Sequence, residues 1–302
     1  NALNLDAHQT TRSHMSETSL KVYQYTAEAE QHILTLPTLT TEKQQSRTLK
    51  RAIKAVERAL KRNPESAMAH TLQGTLYGIQ NQPKSATQAF ETAIEKDPGF
   101  RTPHYGLVDL ALQQEDLPQA VRMLETITQI APYDDDAFHL QGTVYRLLDQ
   151  PKQALSAYQN ALKAYKNRPE TRYEAGLIYL SQNQTRKAIL ALQQAVEQIP
   201  GELIYQIALA NAHLFAQETA RARVILERIA SVSESDPEYQ FVRGKFDHQI
   251  GQYDKALTHF KKALQSLPSR AELHAAMGKT YVAQQRFTDA INAFIAAQSH
   301  GI

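Results

Sequence analysis

One position in this chain recurs at a constant step of 34 residues: Gly74, Val108, Gly142, Gly176, Ala210, Gly244 and Gly278, all small except Val108. Twelve residues beyond each stands an alanine: Ala86, Ala120, Ala154, Ala188, Ala222, Ala256 and Ala290. Four further on comes a large residue (Phe90, Leu124, Tyr158, Leu192, Leu226, Phe260, Phe294), and three beyond that Ala93, Ile127, Ala161, Ala195, Ile229, Ala263 or Ala297. Steps of four and three keep these side chains on one face of an α-helix. An internal period of this length restricts the chain to a stack of small supersecondary units. None can bury its own apolar face, and each shares a core with its neighbours.

Proline closes several units, at Pro98, Pro132, Pro200 and Pro268. A residue without an amide hydrogen ends one helix and can start the next. Each unit therefore reads as a helical hairpin, in which glycine and alanine let two backbones approach and large neighbours fill the space beside them. In two units the proline comes three residues late, at Pro169 and Pro237, without disturbing the phase, and a local bend is expected at each. Upstream, Ala52, Val56, Ala59 and Pro64 keep the same phase, so 44–63 reads as the second helix of an eighth, irregular hairpin whose first helix covers 20–34.

This pattern resembles the tetratricopeptide repeat family from Ala67 to the last residue. The resemblance implies an all-α, right-handed superhelical solenoid of helix-turn-helix repeats. The expected organisation is a tail over 1–18, an irregular hairpin over 19–66, and seven repeats over 67–100, 101–134, 135–168, 169–202, 203–236, 237–270 and 271–302. The family's tryptophan, four residues before the small position, is absent. His70, His104, Phe138, Arg172, Gln206, Gln240 and His274 stand there, and looser hairpin packing is expected. Gln298 occupies a position that is apolar or small in most earlier units (Ile94, Leu162, Val196, Ala230, Leu264), as a terminating repeat requires. Residues 1–14 match no repeat. The run Arg12-Ser13-His14-Met15 has the look of an expression-vector junction, with a native start at Met15, and an ordered tail there is expected to rest in a groove of this molecule or a neighbour.

Composition narrows the function classes. With 42% hydrophobic and 21% charged residues the chain has the make-up of a folding protein, and no run reaches the roughly 18 apolar residues of a membrane-spanning helix. Absence of cysteine removes disulfides, thiolate metal sites and cysteine nucleophiles, and leans towards an oxidising, periplasmic or membrane-associated setting. A formal charge of +2 is too small to suggest a polyanionic partner for the whole molecule, and no nucleic-acid partner is expected because basic residues do not run through many units. No metal or cofactor is expected either. His70 and His104 stand one repeat apart, roughly a 10 Å helix diameter, against about 2 Å for a metal ligand, and Asp134, Asp135 and Asp136 read as caps at a helix start. Neither a phosphate-cradling glycine loop nor a nucleophile elbow is present, so the chain is not read as an enzyme. From Lys50 to Arg62 six cations face Glu57 alone. This stretch reads either as a contact for an acidic partner or membrane surface or as the solvated face of an end helix.

The resemblance implies that the residue three before the small position, the one just after it and the one four after it line a concave groove. Unit by unit this gives Tyr105, Asp109 and Leu112; His139, Thr143 and Arg146; Tyr173, Leu177 and Leu180; Ile207, Asn211 and Leu214; and Phe241 and Lys245, with Lys279 and His248 at the C-terminal end. Apolar and aromatic anchors with cations at the margin suit a peptide segment of acidic character. The leading expectation is a non-catalytic scaffold or adaptor that holds a partner's peptide during assembly of a bacterial envelope machine (pilus, secretion or polysaccharide export). A chaperone for apolar client segments and a regulatory or substrate-holding arm of a larger enzyme stay open, as does association with a second copy.

Overall fold

A computed structural model describes residues 16–301 of the chain; the tail over 1–15 and its expected docking lie outside them. The described residues form sixteen α-helices and no strand. In the first half they are α1 Glu17–Thr35, α2 Glu42–Arg62, α3 Ala67–Ile79, α4 Pro83–Lys96, α5 Arg101–Gln113, α6 Leu117–Ile130, α7 Asp135–Leu147 and α8 Pro151–Ala164. The second half holds α9 Pro169–Ser181, α10 Thr185–Gln198, α11 Leu203–Phe215, α12 Thr219–Ser233, α13 Pro237–Gln249, α14 Tyr253–Ser266, α15 Ala271–Ala283 and α16 Phe287–Ser299. Helices pair as antiparallel hairpins, α1 with α2 through α15 with α16. Two compact units result, Asn1–Ala164 and Tyr165–Ile302, each with four of the hairpins. Among the described residues no helix is long and apolar enough to cross a membrane.

From α3 onward the first helix of each hairpin starts at 34-residue intervals, at Ala67, Arg101, Asp135, Pro169, Leu203, Pro237 and Ala271. Pro169 and Pro237 open α9 and α13 at their first position, where the missing amide hydrogen costs nothing. Both start a helix and close none. Side-chain caps fix several starts: Ser16, Thr41, Ser66, Asp116, Asp134 and Asp236 each accept from the backbone amide three residues on.

The recurrent small position seats a specific neighbour. A Cβ on Gly74, Gly142, Gly176, Gly244 or Gly278 would fall within 2.8 Å of the large side chain sixteen residues later, namely Phe90, Tyr158, Leu192, Phe260 and Phe294. Aromatic rings occur there only opposite glycine. The two units with a bulkier small position, Val108 and Ala210, answer with Leu124 and Leu226, and these four side chains are almost wholly buried. The bulkier small residues thus meet leucine and no ring, as close packing demands, while Gly176 also faces a leucine, Leu192.

The turn inside each hairpin repeats a backbone state. Asn81, Glu115, Asp149, Asn183, Gln217 and Gln285 adopt φ between 54° and 62°, and Gly251 takes the equivalent place at 77°. At the positions without the family's tryptophan, polar side chains reach the carbonyl six residues upstream. His70 meets Pro64 O at 2.8 Å, Arg172 Lys166 O at 2.8 Å, Gln206 Pro200 O at 2.8 Å, Gln240 Glu234 O at 2.5 Å and His274 Pro268 O at 2.9 Å. Five of the joints between consecutive hairpins are thus tied by a hydrogen bond. In α16, Phe287, Ile291 and Ile295 are exposed beside Gln298, so this surface is more apolar than Gln298 alone suggests.

Candidate peptide-binding pocket

In the second unit, α11, α13 and α15 carry Asn211, Lys245 and Lys279 at equivalent places, each just after the small position. They converge on a cavity of about 500 Å³ whose walls include Phe215, Phe241, Phe260, Arg270, His248, Gln249 and Glu272. Lys245 Nζ donates to Asn211 Oδ1 at 2.6 Å, and lies 4.5 Å from the centroid of the Phe215 ring and 5.2 Å from that of Phe241. Arg270, in the turn before α15, covers the Phe241 ring at 4.6 Å. It pairs with Glu238 and lies 3.4 Å from Glu272.

The electrostatics follow from this crowding. Burial, then repulsion from Arg270 and Lys279, lowers the Lys245 ammonium from its ordinary value to about 8. Burial and then Lys279 also lower His248, whose Nδ1 lies 3.0 Å from Thr280 Oγ1, which favours the neutral imidazole. Lys279 is exposed and makes no ion pair among the described residues. The pocket therefore joins an incompletely neutralised cationic rim to aromatic walls, an arrangement that can take a carboxylate beside an apolar or aromatic group.

Of the residues expected to line a groove, Asn211, Phe241, Lys245, His248 and Lys279 meet here. Phe215, one helical turn beyond Asn211, and Arg270, outside the helices, belong to the site although the three-position rule omits them. Phe215 is 48% exposed, and an aromatic four residues after Asn211 on the same face was the readable signal. Leu180, Ile207 and Leu214 are buried in the core of the unit. Their apolar contacts hold successive hairpins together, which corrects their reading as side chains that touch a partner. Phe241, 7% exposed, forms the pocket wall. Leu177 is half-buried against the same core, and Tyr173 packs its ring 5.1 Å from that of Tyr205.

In the first unit the expected residues are engaged differently. Tyr105 donates its hydroxyl to Asp134 Oδ1 at 2.8 Å, and burial raises its pKa. Asp134 also caps α7 through Ala137 N at 3.1 Å and pairs with Arg101, which makes it the tie between two hairpins. Leu112 packs into the local core. His139 tilts against Tyr158 at 5.6 Å, and Thr143 Oγ1 lies 3.3 Å from the Tyr158 hydroxyl; Arg146 is exposed. Asp109 stands at a smaller cavity of about 180 Å³ beside Thr75 and Phe90, its carboxyl raised by loss of surrounding water. Among the described residues no three His, Asp or Glu side chains are grouped to hold a metal ion.

Comparison with known proteins extends the pattern. One model described as tetratricopeptide repeat matches residues 79–142, 179–245 and 249–300, and a second of the same description matches 42–99 and 139–202. Among solved structures, YrrB, described as a protein of this repeat type with an unusual peptide-binding site, is 23% identical over 61% of this chain and 95% of its own, with a TM-score of 0.53. PilF of Pseudomonas aeruginosa is 16% identical over 72% of this chain and 97% of its own, TM-score 0.56. A chain of the APC/C hetero-tetramer Cut9–Hcn1 is 16% identical over 76% and 45%, TM-score 0.57. These likenesses show the fold. Among curated proteins, anaphase-promoting complex subunit 3 of Schizosaccharomyces pombe is 20% identical over 61% of this chain, and superkiller protein 3 of the same organism 23% identical over 59%. The matched region spans only 28% and 14% of the length of these two relatives.

Proposed function

Because the chain belongs to the tetratricopeptide repeat family, whose members serve protein–protein interaction, we propose that it is a non-catalytic scaffold that holds a peptide segment of a partner protein in the pocket between α11, α13 and α15. The carrying observation is Lys245, a cation withdrawn from water between Phe215 and Phe241 and crowded by Arg270 and Lys279. An acidic side chain or chain-terminal carboxylate relieves this crowding through charge-assisted hydrogen bonds, while its apolar neighbour covers the aromatic rings. The biological setting in this reading is assembly of a bacterial envelope machine such as a pilus, secretion or polysaccharide-export apparatus, supported by the cysteine-free composition.

The test is selection from a random peptide display library, followed by fluorescence anisotropy with the enriched peptides. Enrichment of an acidic group adjacent to an aromatic or branched aliphatic residue is expected, with binding weakened about tenfold or more by Lys245→Gln together with Lys279→Glu, corresponding to roughly 1.4 kcal/mol. Peptides without acidic groups, or equal binding by the folded double variant, would remove the pocket from consideration.

A further inference from the structure

The second helix of the chain carries a surface that the peptide pocket does not use. On α2, Lys43, Arg47, Lys50, Lys54, Arg58 and Lys61 follow one another at steps of four and three. At about 100° per residue these six cations fall within roughly 80° of the helix circumference, along about 27 Å of axis. The opposite face buries Ala52, Ala55, Val56 and Ala59. All six cations are exposed, and none makes an ion pair among the described residues. Arg58 is steadied by the Tyr25 ring at 5.9 Å, and Glu57 is the one carboxylate near the stripe's edge.

From this we infer that α2 is a membrane-docking ridge that lies along an anionic lipid surface through headgroup contacts. A ridge on a single helix is straight and convex, and its cations sit on long, independent side chains. A bilayer suits such a surface because its charged headgroups diffuse laterally to match any spacing. Single-stranded nucleic acid would call for aromatic side chains between the cations as stacking platforms. Here Gln44, Gln45, Ser46, Thr48 and Leu49 stand between the first three cations. The association is electrostatic, so it follows the Debye length and weakens as added salt shortens it from about 10 Å at 0.1 M.

The experiment is vesicle co-sedimentation of the full chain with phosphatidylcholine alone and with phosphatidylcholine containing phosphatidylglycerol. Binding only to the anionic vesicles is expected. Each cation near the surface contributes about fivefold, so Lys43→Glu, Arg47→Glu, Lys50→Glu and Lys54→Glu together lower binding by more than about a hundredfold. Arginine at Lys43, Lys50, Lys54 and Lys61 preserves it, and Lys245→Gln leaves it unchanged. Circular dichroism verifies the helicity of every variant. Undiminished sedimentation of the folded quadruple variant overturns the inference. So does tighter binding, at equal ionic strength, to duplex DNA or to polyglutamate than to the anionic vesicles.

Discussion

Gly142 and Gly78 offer the same chemical change with opposite expected signs. Both lie in first helices of hairpins, α7 and α3. A Cβ at Gly142 would stand 2.5 Å from Cδ1 and Cε1 of Tyr158, a ring with no solvent exposure, whose hydroxyl lies near Thr143 and which packs against His139. The ring has nowhere to retreat, and overpacking of this kind costs about 1–3 kcal/mol, offset by up to about 1 kcal/mol from the higher helix propensity of alanine. A Cβ at Gly78 meets nothing within 4 Å, so Gly78→Ala keeps the propensity gain of about 0.5–1 kcal/mol. The two variants should therefore lie about 2 kcal/mol apart, measured as midpoint shifts in urea unfolding followed by far-ultraviolet circular dichroism. Adding Tyr158→Leu to Gly142→Ala should recover part of the loss, because alanine opposite leucine is the pair that Ala210 and Leu226 already make. The reasoning fails if Gly142→Ala is as stable as Gly78→Ala, or if the added Tyr158→Leu change deepens the defect.

Two further outcomes can be checked without knowledge of the partner. The Lys245 ammonium should titrate near pH 8, against 10.5 for an ordinary lysine, when followed by heteronuclear NMR of its side chain. Between those values the folded state has shed a proton that the unfolded state keeps, so this group's contribution to stability rises as pH increases through the window; a midpoint above about 10 contradicts the burial argument. At the left-handed turn positions, Gln217→Gly and Glu115→Gly should each raise stability by about 0.5–1 kcal/mol in thermal unfolding, since relief of side-chain strain exceeds the added freedom of the unfolded chain. Gly251→Ala should lower it by about 1 kcal/mol. Equal stability at all three sites would mean that the turn conformation carries little strain.

The hairpin register was readable because glycine and alanine recur where two helices touch, and that constraint acts locally in every unit. The pairing of ring with glycine was readable too, since Gly74, Gly142, Gly244 and Gly278 each precede an aromatic by sixteen residues. The turn state was not. Asn81, Glu115, Asp149 and Gln217 look like ordinary loop polarity, and only Gly251 hints at a positive φ. Access was equally hidden. Leu214 and His248 both stand four residues after the small position, yet one ends in the core and the other at the pocket, because the outcome depends on the side chain and on what the next hairpin brings against it. Arg270 came to the site from a turn, where helical periodicity gives no guidance.

The cationic ridge and the aromatic pocket reside in separate compact units, each with a core of its own. Stability in a repeat array is shared mainly between neighbouring hairpins, so mutations at Lys279 or Phe215 answer to a different core from mutations at Lys43 or Lys54. If the pocket and the ridge act as proposed, selection can revise what the protein grips without revising where it is anchored, and an engineer can exchange one address while leaving the other as it is.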